Sequence, residues 1–361
     1  MKKEYRFLPL LSLFLFSCHE DGPITTSLPP TPTVEVSGTA SYPFAVGYAG
    51  ATDSGNFAAV VYNTDGTPRN VFAFGNRLID FQKQPTGNFT AFQFEAERIG
   101  YFLEFSSSGK VVRRHESVTT PETGVHELRL YPDGSSLLYG VIHPIVDMTT
   151  FDGWDAVEIQ HCIVEYRRPD GSLFTWSTAD GMDYADSFDH YQGSPADPYH
   201  LNAIDRDSDG NLLISLRNAS QVVKVNSQTG EVVWRLGGKR SDFTFVDDPL
   251  NGFARQHGIR RLPNGNVILF DNGNEHTPPV SRAVEYALDE SAMTARLIWE
   301  FRDTTFAFAM GFADRLPNGN TLICYGTSQI IREVTPEGDV LFEMRVRSQE
   351  LPYRAIHIVE N

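Results

Sequence analysis

Short runs of β-favouring residues, separated by tight turns, make up most of the chain, and the period of an amphipathic helix is nearly absent. The clearest example is the stretch 256–274, QHGIRRLPNGNVILFDNGN. An alternating run leads into the turn 263–266 (PNGN), and the apolar run 267–270 (VILF) leads out of it. A second turn at 271–274 closes the unit. The pattern predicts a β-hairpin with His257 at the start of its first strand.

The same unit recurs along the second half of the chain, each time as one hairpin followed by a second pair of β-rich runs. The leading hairpins occupy 126–140, 200–216, 257–271 and 311–326. Four-stranded units that recur at roughly 40–50 residues are typical of β-propeller blades. A β-sandwich would not explain a repeated four-stranded unit. An all-β fold is therefore predicted, a six-bladed β-propeller, with the clear repeats over 126–361 and inserted loops where the units run long.

The region 38–125 contains β-rich runs of the same kind, but they are less regular. The runs lie within 43–75 and 89–114 and surround their own turns, such as 63–66 (NTDG). This N-terminal β region fits either divergent blades of the propeller or a small separate β-domain, and both interpretations remain open.

The first 17 residues have the pattern of a lipoprotein signal peptide. Positive residues precede the apolar run 8–16, which is too short to span a membrane as a helix. The run ends in Leu15-Phe16-Ser17-Cys18, which matches the lipobox in which the cysteine is lipidated. We expect Cys18 to anchor the protein in the cell envelope, at the outer membrane, facing the periplasm or the cell surface. The Pro/Thr-rich stretch 18–37 is predicted to be a tether.

The net charge limits the possible classes of partner, and the cysteine content limits the possible disulfides. The net charge of −16 argues against nucleic acid, because binding to a phosphate backbone needs a surplus of Lys and Arg. An anionic ligand would need a local cationic pocket. Beyond Cys18 only Cys162 and Cys324 remain, so at most one disulfide can form in the folded body.

Three histidines open the first strand of their units: His126, His200 and His257. The first strand of each propeller blade lines the central channel, so we expect the three side chains to face one axial pocket. Converging histidines can serve as metal ligands, as acid–base groups, or as a nucleophile with its helpers. His161 opens a second hairpin and is expected off the axis.

Two further motifs carry charge. Arg282 opens the strand after the hairpin 257–271, where its guanidinium would suit a tetrahedral oxyanion or, with equal weight, an acidic neighbour. Asp205, Asp207 and Asp209 have the spacing of a calcium loop. The closing acid of such a loop is replaced by Leu216, which favours a solvated hairpin.

Several of these runs resemble the bacterial arylsulfotransferases. They are QHGIRRLPNGNVILFDNGN, SRAVEYALDE and HLNAIDRDSDGNLLISLRNASQVVKVNSQTGEVVWRLGG, and the similarity extends from His126 to the C-terminus. The resemblance implies a six-bladed propeller with a small N-terminal β-domain, exported from the cytoplasm. It also implies transfer of a sulfuryl group from a phenolic sulfate ester to a phenol, without a nucleotide sulfate donor. We predict an aryl sulfate and a phenol as small-molecule partners, and no cofactor or metal ion.

The resemblance also assigns roles to residues. The His of the HxN motif falls on His200, the His of the QH…FDNG motif on His257, and the Arg of the SRxVEY motif on Arg282. These three are predicted to be catalytic. The predicted substrate-binding residues are His126, Asn202, Gln256 and Asn272.

The chain departs from the family after the final PNGN hairpin. The sulfated His of the family lies there, and the corresponding stretch 326–331 (GTSQII) has no His. Another His could take the covalent role, His257 first and then His126 or His357. Alternatively, transfer is direct, or the protein is a non-catalytic surface lipoprotein that binds an anionic, phenolic or glycan ligand.

Overall fold

Six antiparallel sheets arranged around a central channel form a β-propeller in the computed structural model, which describes residues 31–50 and 57–359. From the channel outward, the strands are Leu351–His357, Phe44–Ala49, Phe57–Tyr62 and Pro68–Phe74 in blade 1; Leu78–Lys83, Phe89–Phe94, Gly100–Phe105 and Val111–His115 in blade 2; Arg129–Leu130, Ser136–Ile142, His161–Arg167 and Leu173–Ser177 in blade 3; Leu201–Arg206, Leu212–Leu216, Gln221–Val225 and Val232–Gly237 in blade 4; His257–Arg261, Val267–Asp271, Arg282–Asp289 and Thr294–Arg302 in blade 5; and Phe312–Arg315, Thr321–Cys324, Ile330–Val334 and Val340–Val346 in blade 6. The prediction of an all-β, six-bladed propeller is confirmed.

A few short elements supplement the blades. Glu122–Thr123 adds to blade 3, Thr244–Val246 adds a parallel strand to blade 5, and Ile145–Val146 pairs with Val157–Glu158 in an inserted loop. The helical elements are the α-helix Thr178–Gly181 and the 3-10 turns Thr149–Phe151, Tyr184–Asp186, Arg217–Ala219 and Gly326–Ser328.

Strands from both ends of the described chain close the ring. Leu351–His357 supplies the innermost strand of blade 1, where it pairs with Phe44–Ala49. Val34–Gly38 supplies an outermost strand of blade 6, where it pairs with Val340–Val346. The strands between residues 44 and 115 thus form blades 1 and 2 rather than a separate β-domain. The expected tether, 18–37, is also corrected, because residues from Val34 onward are part of a sheet.

Both faces of each blade are covered by its neighbours, which explains why many strands are buried along their whole length. Gln221–Val225 and Val267–Asp271 are buried at every position. Six hydrophobic clusters fill the six seams between neighbouring blades. Cys162 lies in the seam between blades 3 and 4, and Cys324 in the seam between blades 6 and 1, and both thiols are free.

The N-terminal signal and its lipidation site lie outside the described residues. Those predictions therefore stay predictions. Within the part of the chain that the structure describes, no helix is long and apolar enough to cross a membrane.

Candidate active site in the central channel

His126, His200 and His257 lie at one mouth of the channel, at the entrances to the inner strands of blades 3, 4 and 5. The ring centroids of His126 and His200 are 5.0 Å apart. Burial and then the proximity of His200 and His257 lower the pKa of His126 well below its usual value, so the three rings are neighbours. Across the channel, Tyr353 of blade 1 reaches His126, with 2.8 Å between the tyrosine hydroxyl and Nδ1.

Asn272 sets the orientation and the tautomer of His257. The amide Nδ2 of Asn272 donates to the carbonyl oxygens of Ala307 (2.7 Å) and Met310 (2.9 Å). Its Oδ1 must therefore face Nδ1 of His257, 2.6 Å away, and the ring carries its proton there. No hydrogen bond within the described residues uses Nε2 of His257, so its lone pair is free.

The protonation of His257 is set by its surroundings. Burial and the charge of Arg217 lower the pKa of His257 to about 3, against the weaker opposing effect of the Asn272 hydrogen bond. The ring is thus neutral at pH 7, which suits a nucleophile or a base.

His200 forms a carboxylate–imidazole pair with Asp197. Nδ1 of His200 lies 2.6 Å from Oδ2 of Asp197, and the backbone N–H of His200 donates to Oδ1 of the same carboxylate. Burial alone would raise the pKa of Asp197, but the charge and hydrogen bonds of His200 outweigh it and lower the pKa. An ionised carboxylate only accepts, so Nδ1 of His200 carries a proton, and Nε2 of His200 has no hydrogen bond within the described residues.

Irregular backbone aims two of the histidines into the channel. The strand pairing shifts register just after His200, whose φ is +49°, and just after His257. Gly258 has a φ of +70°, and a Cβ there would lie 2.4 Å from the ring of Phe312. Bulges of this kind re-aim side chains at functional sites.

Arg217 is the cationic side chain of this mouth. Its charge lowers the pKa values of His126 and His257. Its guanidinium donates to Oδ1 of Asn218 (2.9 Å) and to the carbonyl oxygen of Phe308 (3.0 Å). Within residues 31–50 and 57–359 it has no carboxylate partner, so part of its charge is available to an anion. We call His126, His200, His257 and Arg217 the histidine layer.

A second group of charged side chains closes the channel beneath the histidine layer. Arg354 follows Tyr353 in blade 1 and contacts Asp80 of blade 2 and Glu127 of blade 3, both at 3.0 Å. Arg260 of blade 5 reaches Glu127 at 2.9 Å, and Gln82 donates to both carboxylates. Contacts among four blades can form only at the axis. We call Asp80, Gln82, Glu127, Arg260 and Arg354 the ion-pair layer.

A family model described as arylsulfotransferase (ASST) matches residues 108–347, more than half of the chain. The chain belongs to the arylsulfotransferase family. No match was found among curated proteins.

Solved structures share the fold of this arylsulfotransferase-family protein at low identity. A protein of unknown function from Bacteroides caccae has 13% identity and a TM-score of 0.56, over 89% of this chain and 100% of that chain. A functionally unknown protein from Desulfotomaculum acetoxidans has 11% identity and a TM-score of 0.51, over 87% and 100%. A periplasmic gluconolactonase from Pseudomonas aeruginosa has 13% identity and a TM-score of 0.50, over 88% and 100%. At these identities the likeness shows the fold alone.

Arg282 does not join the histidines, which corrects the role predicted for it. Its guanidinium is fully buried and donates to the carboxylates of Asp248, Asp271 and Glu300. The remaining donors are taken by the carbonyl oxygen of Gly252 and by Asp248. Because every N–H of its guanidinium is used inside the protein, Arg282 cannot hold a substrate oxyanion. The other interpretation, that Arg282 pairs with acidic neighbours, is the one the structure shows.

Asn202 and Gln256, predicted to bind substrate, are also fully buried. Nδ2 of Asn202 donates to the carbonyl oxygen of Gln256 (2.7 Å), and Nε2 of Gln256 donates to Ser215 and to the carbonyl of Gln221, both at 3.0 Å. These amides tie blade 4 to blade 5. Asn272 is likewise buried, and it acts on His257 rather than on a ligand.

The remaining candidates lie away from this mouth. His161 bonds to Thr178 and Tyr184 in blade 3, off the axis, and Nδ1 of His357 bonds to Asp314 at 2.7 Å. Tyr353 and His357 are four residues apart in one strand, hence about 13 Å. In the calcium-like loop, Asp207 and Asp209 form ion pairs with Lys224. No group of three or more His, Cys, Asp or Glu in the described ranges is arranged to hold a metal ion.

The sequence analysis missed Arg217, Asp197 and Tyr353. One signal was present: Arg217 directly follows the second strand of blade 4, as Asn272 directly follows the second strand of blade 5. That position of the repeat points at the channel mouth in both blades.

Proposed function

We propose that the protein transfers a sulfuryl group from a phenolic sulfate ester to a phenol in the histidine layer, without a nucleotide sulfate donor, and that His257 carries the group between them. The observation that supports this most directly is the free Nε2 of a neutral, buried His257 beside Arg217, which has no carboxylate partner. A nucleophile and an anion-binding cation are the two parts that sulfuryl transfer needs.

In the first half-reaction, Nε2 of His257 attacks the sulfur of the ester, and the bond between sulfur and the phenolic oxygen breaks. The guanidinium of Arg217 stabilises the charge on the sulfuryl oxygens. The departing phenolate takes a proton from the imidazolium of His200, whose charge Asp197 stabilises.

In the second half-reaction, neutral His200 removes the proton of the incoming phenol. The phenol oxygen attacks the sulfur, the bond between sulfur and Nε2 breaks, and His257 is regenerated. His126, held by Tyr353, supplies a further donor to the sulfuryl oxygens. The missing His at 326–331 does not prevent this sequence of steps, because His257 supplies the nucleophile.

Mass spectrometry tests the covalent step. The protein is mixed with 4-nitrophenyl sulfate without acceptor, and we expect one added SO3 on the peptide that contains His257. Addition of phenol should remove it. The exposed His190 provides a control, since His190→Ala should leave both steps unchanged. Sulfation of His126 instead would move the nucleophile, and turnover without any covalent adduct would mean direct transfer.

A second candidate function is binding of an anionic, phenolic or glycan ligand without turnover. The observation that favours it is the absence of a His at 326–331, where the family carries its sulfated residue. Thermal stabilisation by 4-nitrophenyl sulfate with no release of 4-nitrophenol would support it.

We also propose that the protein is exported and held at the outer membrane by a lipid on Cys18. The lipobox and the Pro/Thr-rich segment after it support this location. Cys18→Ser should shift the protein from the membrane fraction to the soluble fraction of the producing cells.

A further inference from the structure

A cavity of about 430 Å3 lies between blades 4 and 5, outside the central channel. Its lining comes from residues 237–238, 241, 243–245, 250–254 and 275–276, together with Phe188 and Ser220. None of the histidine layer lines it. Cavities that hold small molecules have volumes of roughly 300–1,000 Å3, so this one has room for a small ligand.

Aromatic rings and bare backbone form the walls of the cavity. Phe245 meets Phe253 edge-on, with ring centroids 5.9 Å apart. Gly237 and Gly252 have positive φ values, and a Cβ on either would lie within 3 Å of a phenylalanine ring. The glycines therefore let both rings lie directly against bare backbone, which fixes the rings as walls of the cavity.

One ring nitrogen offers a directed polar contact. Nε2 of His276 lies 2.8 Å from Oδ2 of Asp271, a carboxylate that is also ion-paired with Arg282. A carboxylate in such a pair accepts only, so His276 carries its proton on Nε2. Its Nδ1 has no hydrogen bond within the described residues and can accept one from a ligand.

The charge around the cavity disfavours anions. The lining contains Glu275 and no Lys or Arg. The ammonium of Lys239 lies over the ring of Phe188, 4.8 Å from its centroid, and donates to two backbone carbonyl oxygens. Glu275 pairs with Arg255, 2.6 Å away, which is shared with Asp189. A sulfate ester would place its negative charge next to these carboxylates, whereas a neutral hydroxyl would donate to His276.

We propose that this cavity is a second binding site, which takes a neutral phenol and rejects its sulfate ester. The ring packs on Phe245 and Phe253, and the hydroxyl donates to Nδ1 of His276. This site goes beyond the proposed transfer reaction, because it selects the sulfuryl acceptor and desulfated product over the donor. Its occupancy does not depend on catalysis.

Fluorine NMR of 4-fluorophenol and 4-fluorophenyl sulfate at pH 7 tests the proposal. The measurements use the full chain with His257→Ala, in which neither compound is consumed. We expect 4-fluorophenol to bind at a site from which 4-fluorophenyl sulfate does not displace it. His276→Leu, which keeps the volume but removes the acceptor, should weaken that binding at least about tenfold, as should Leu250→Trp, which fills the cavity. His190→Leu is the matched control and should change nothing.

Three results would overturn the proposal: binding of 4-fluorophenol that both cavity variants leave intact, full displacement by the sulfate ester, or binding of a monosaccharide in place of the phenol. Thermal unfolding checks that each variant is folded. In chains that retain His257, His276→Leu and Leu250→Trp should leave the rate of sulfuryl transfer unchanged. If the parent protein binds 4-fluorophenol in this cavity but transfers no sulfuryl group, the proposed function alone is refuted. If it transfers the group but does not bind 4-fluorophenol in this cavity, this site alone is refuted.

Discussion

Both layers of the channel contain arginine, but the charge of the arginine is matched in one layer and unmatched in the other. In the ion-pair layer, Arg354 and Arg260 are matched by the carboxylates of Asp80 and Glu127, and the group is almost entirely closed to solvent. In the histidine layer, Arg217 has no carboxylate partner in the described chain, and three imidazoles keep a free nitrogen.

The difference shows that charge in the channel is not by itself a sign of chemistry. A buried ion pair whose members satisfy each other holds the blades in place, whereas an unmatched cation beside imidazoles can receive an anion. The same contrast separates Arg217 from Arg282, whose guanidinium is occupied by three carboxylates and the carbonyl oxygen of Gly252. Partners, rather than residue type, separate the two roles.

Removing Arg354 should have the largest effect. Arg354→Ala leaves Asp80 and Glu127 buried with one cation fewer, and breaking a buried pair typically costs about 3–5 kcal/mol. The loss should appear as a lower midpoint of urea unfolding. Adding Asp80→Asn should restore part of it, because one buried charge is then gone. Unchanged unfolding of Arg354→Ala would show that the ion-pair layer does not stabilise the ring.

Arg217→Ala should lower the activity and leave the stability nearly unchanged. We expect the rate of 4-nitrophenol release to fall by about 10²–10³, as when an oxyanion donor is lost, while the urea midpoint stays close to that of the parent protein. Arg302, which is partly exposed and paired with Glu300, gives a matched control. Arg302→Ala should retain activity. Strong destabilisation by Arg217→Ala would remove the distinction between the layers.

The pH dependence of stability should have opposite signs at His257 and at Asp80. The pKa of His257 is about 3 in the folded protein and 6.5 ordinarily, so the unfolded chain binds the extra proton and stability falls as the pH drops below about 6.5. Burial raises the pKa of Asp80 above its ordinary 3.8, so stability falls as the pH rises above that value.

Two variants separate these contributions. His257→Phe should remove about 1–2 kcal/mol of the stability change between pH 7 and pH 5, given about 1.4 kcal/mol for each unit of pKa difference. Asp80→Asn should flatten the opposite slope. Urea unfolding at a series of pH values measures both, and equal slopes in parent and variants would contradict the assignment.

His357→Asn should have the smallest effect. Although burial favours the neutral ring, the hydrogen bond and charge of Asp314 raise the pKa of His357. This pair contributes stability that is lost as the pH rises through the raised pKa. The transfer rate should stay within about twofold, because His357 is about 13 Å along its strand from Tyr353. A large loss of rate would place His357 in the reaction.

The repeats in the sequence were enough to predict the blades and the convergence of the three histidines. Hairpins with matching turns gave the blades, and the shared position of His126, His200 and His257 gave their convergence. The prediction failed where a role depends on the partners that folding brings to a side chain. The strand that begins at Arg282 was correctly expected, but one of the carboxylates that occupy this arginine, Asp248, lies in a loop with no repeat.

Tyr353 was missed for a different physical reason. Nothing in the local pattern of 351–357 tells which blade this strand joins, and its contacts with His126 exist only because it closes the ring in blade 1. The periodicity of a sequence cannot predict contacts made by ring closure, because they connect strands that are far apart in the sequence.

The closure in blade 1 also fixes when the site is complete during folding. Both layers draw on Leu351–His357, through Tyr353 above and Arg354 below. A chain in which blades 2 to 6 have formed without this strand has its three histidines, but it lacks the residue that holds His126 and one of the two cations that pair with Glu127. The channel mouth proposed for sulfuryl transfer is therefore complete only after the final strand joins blade 1.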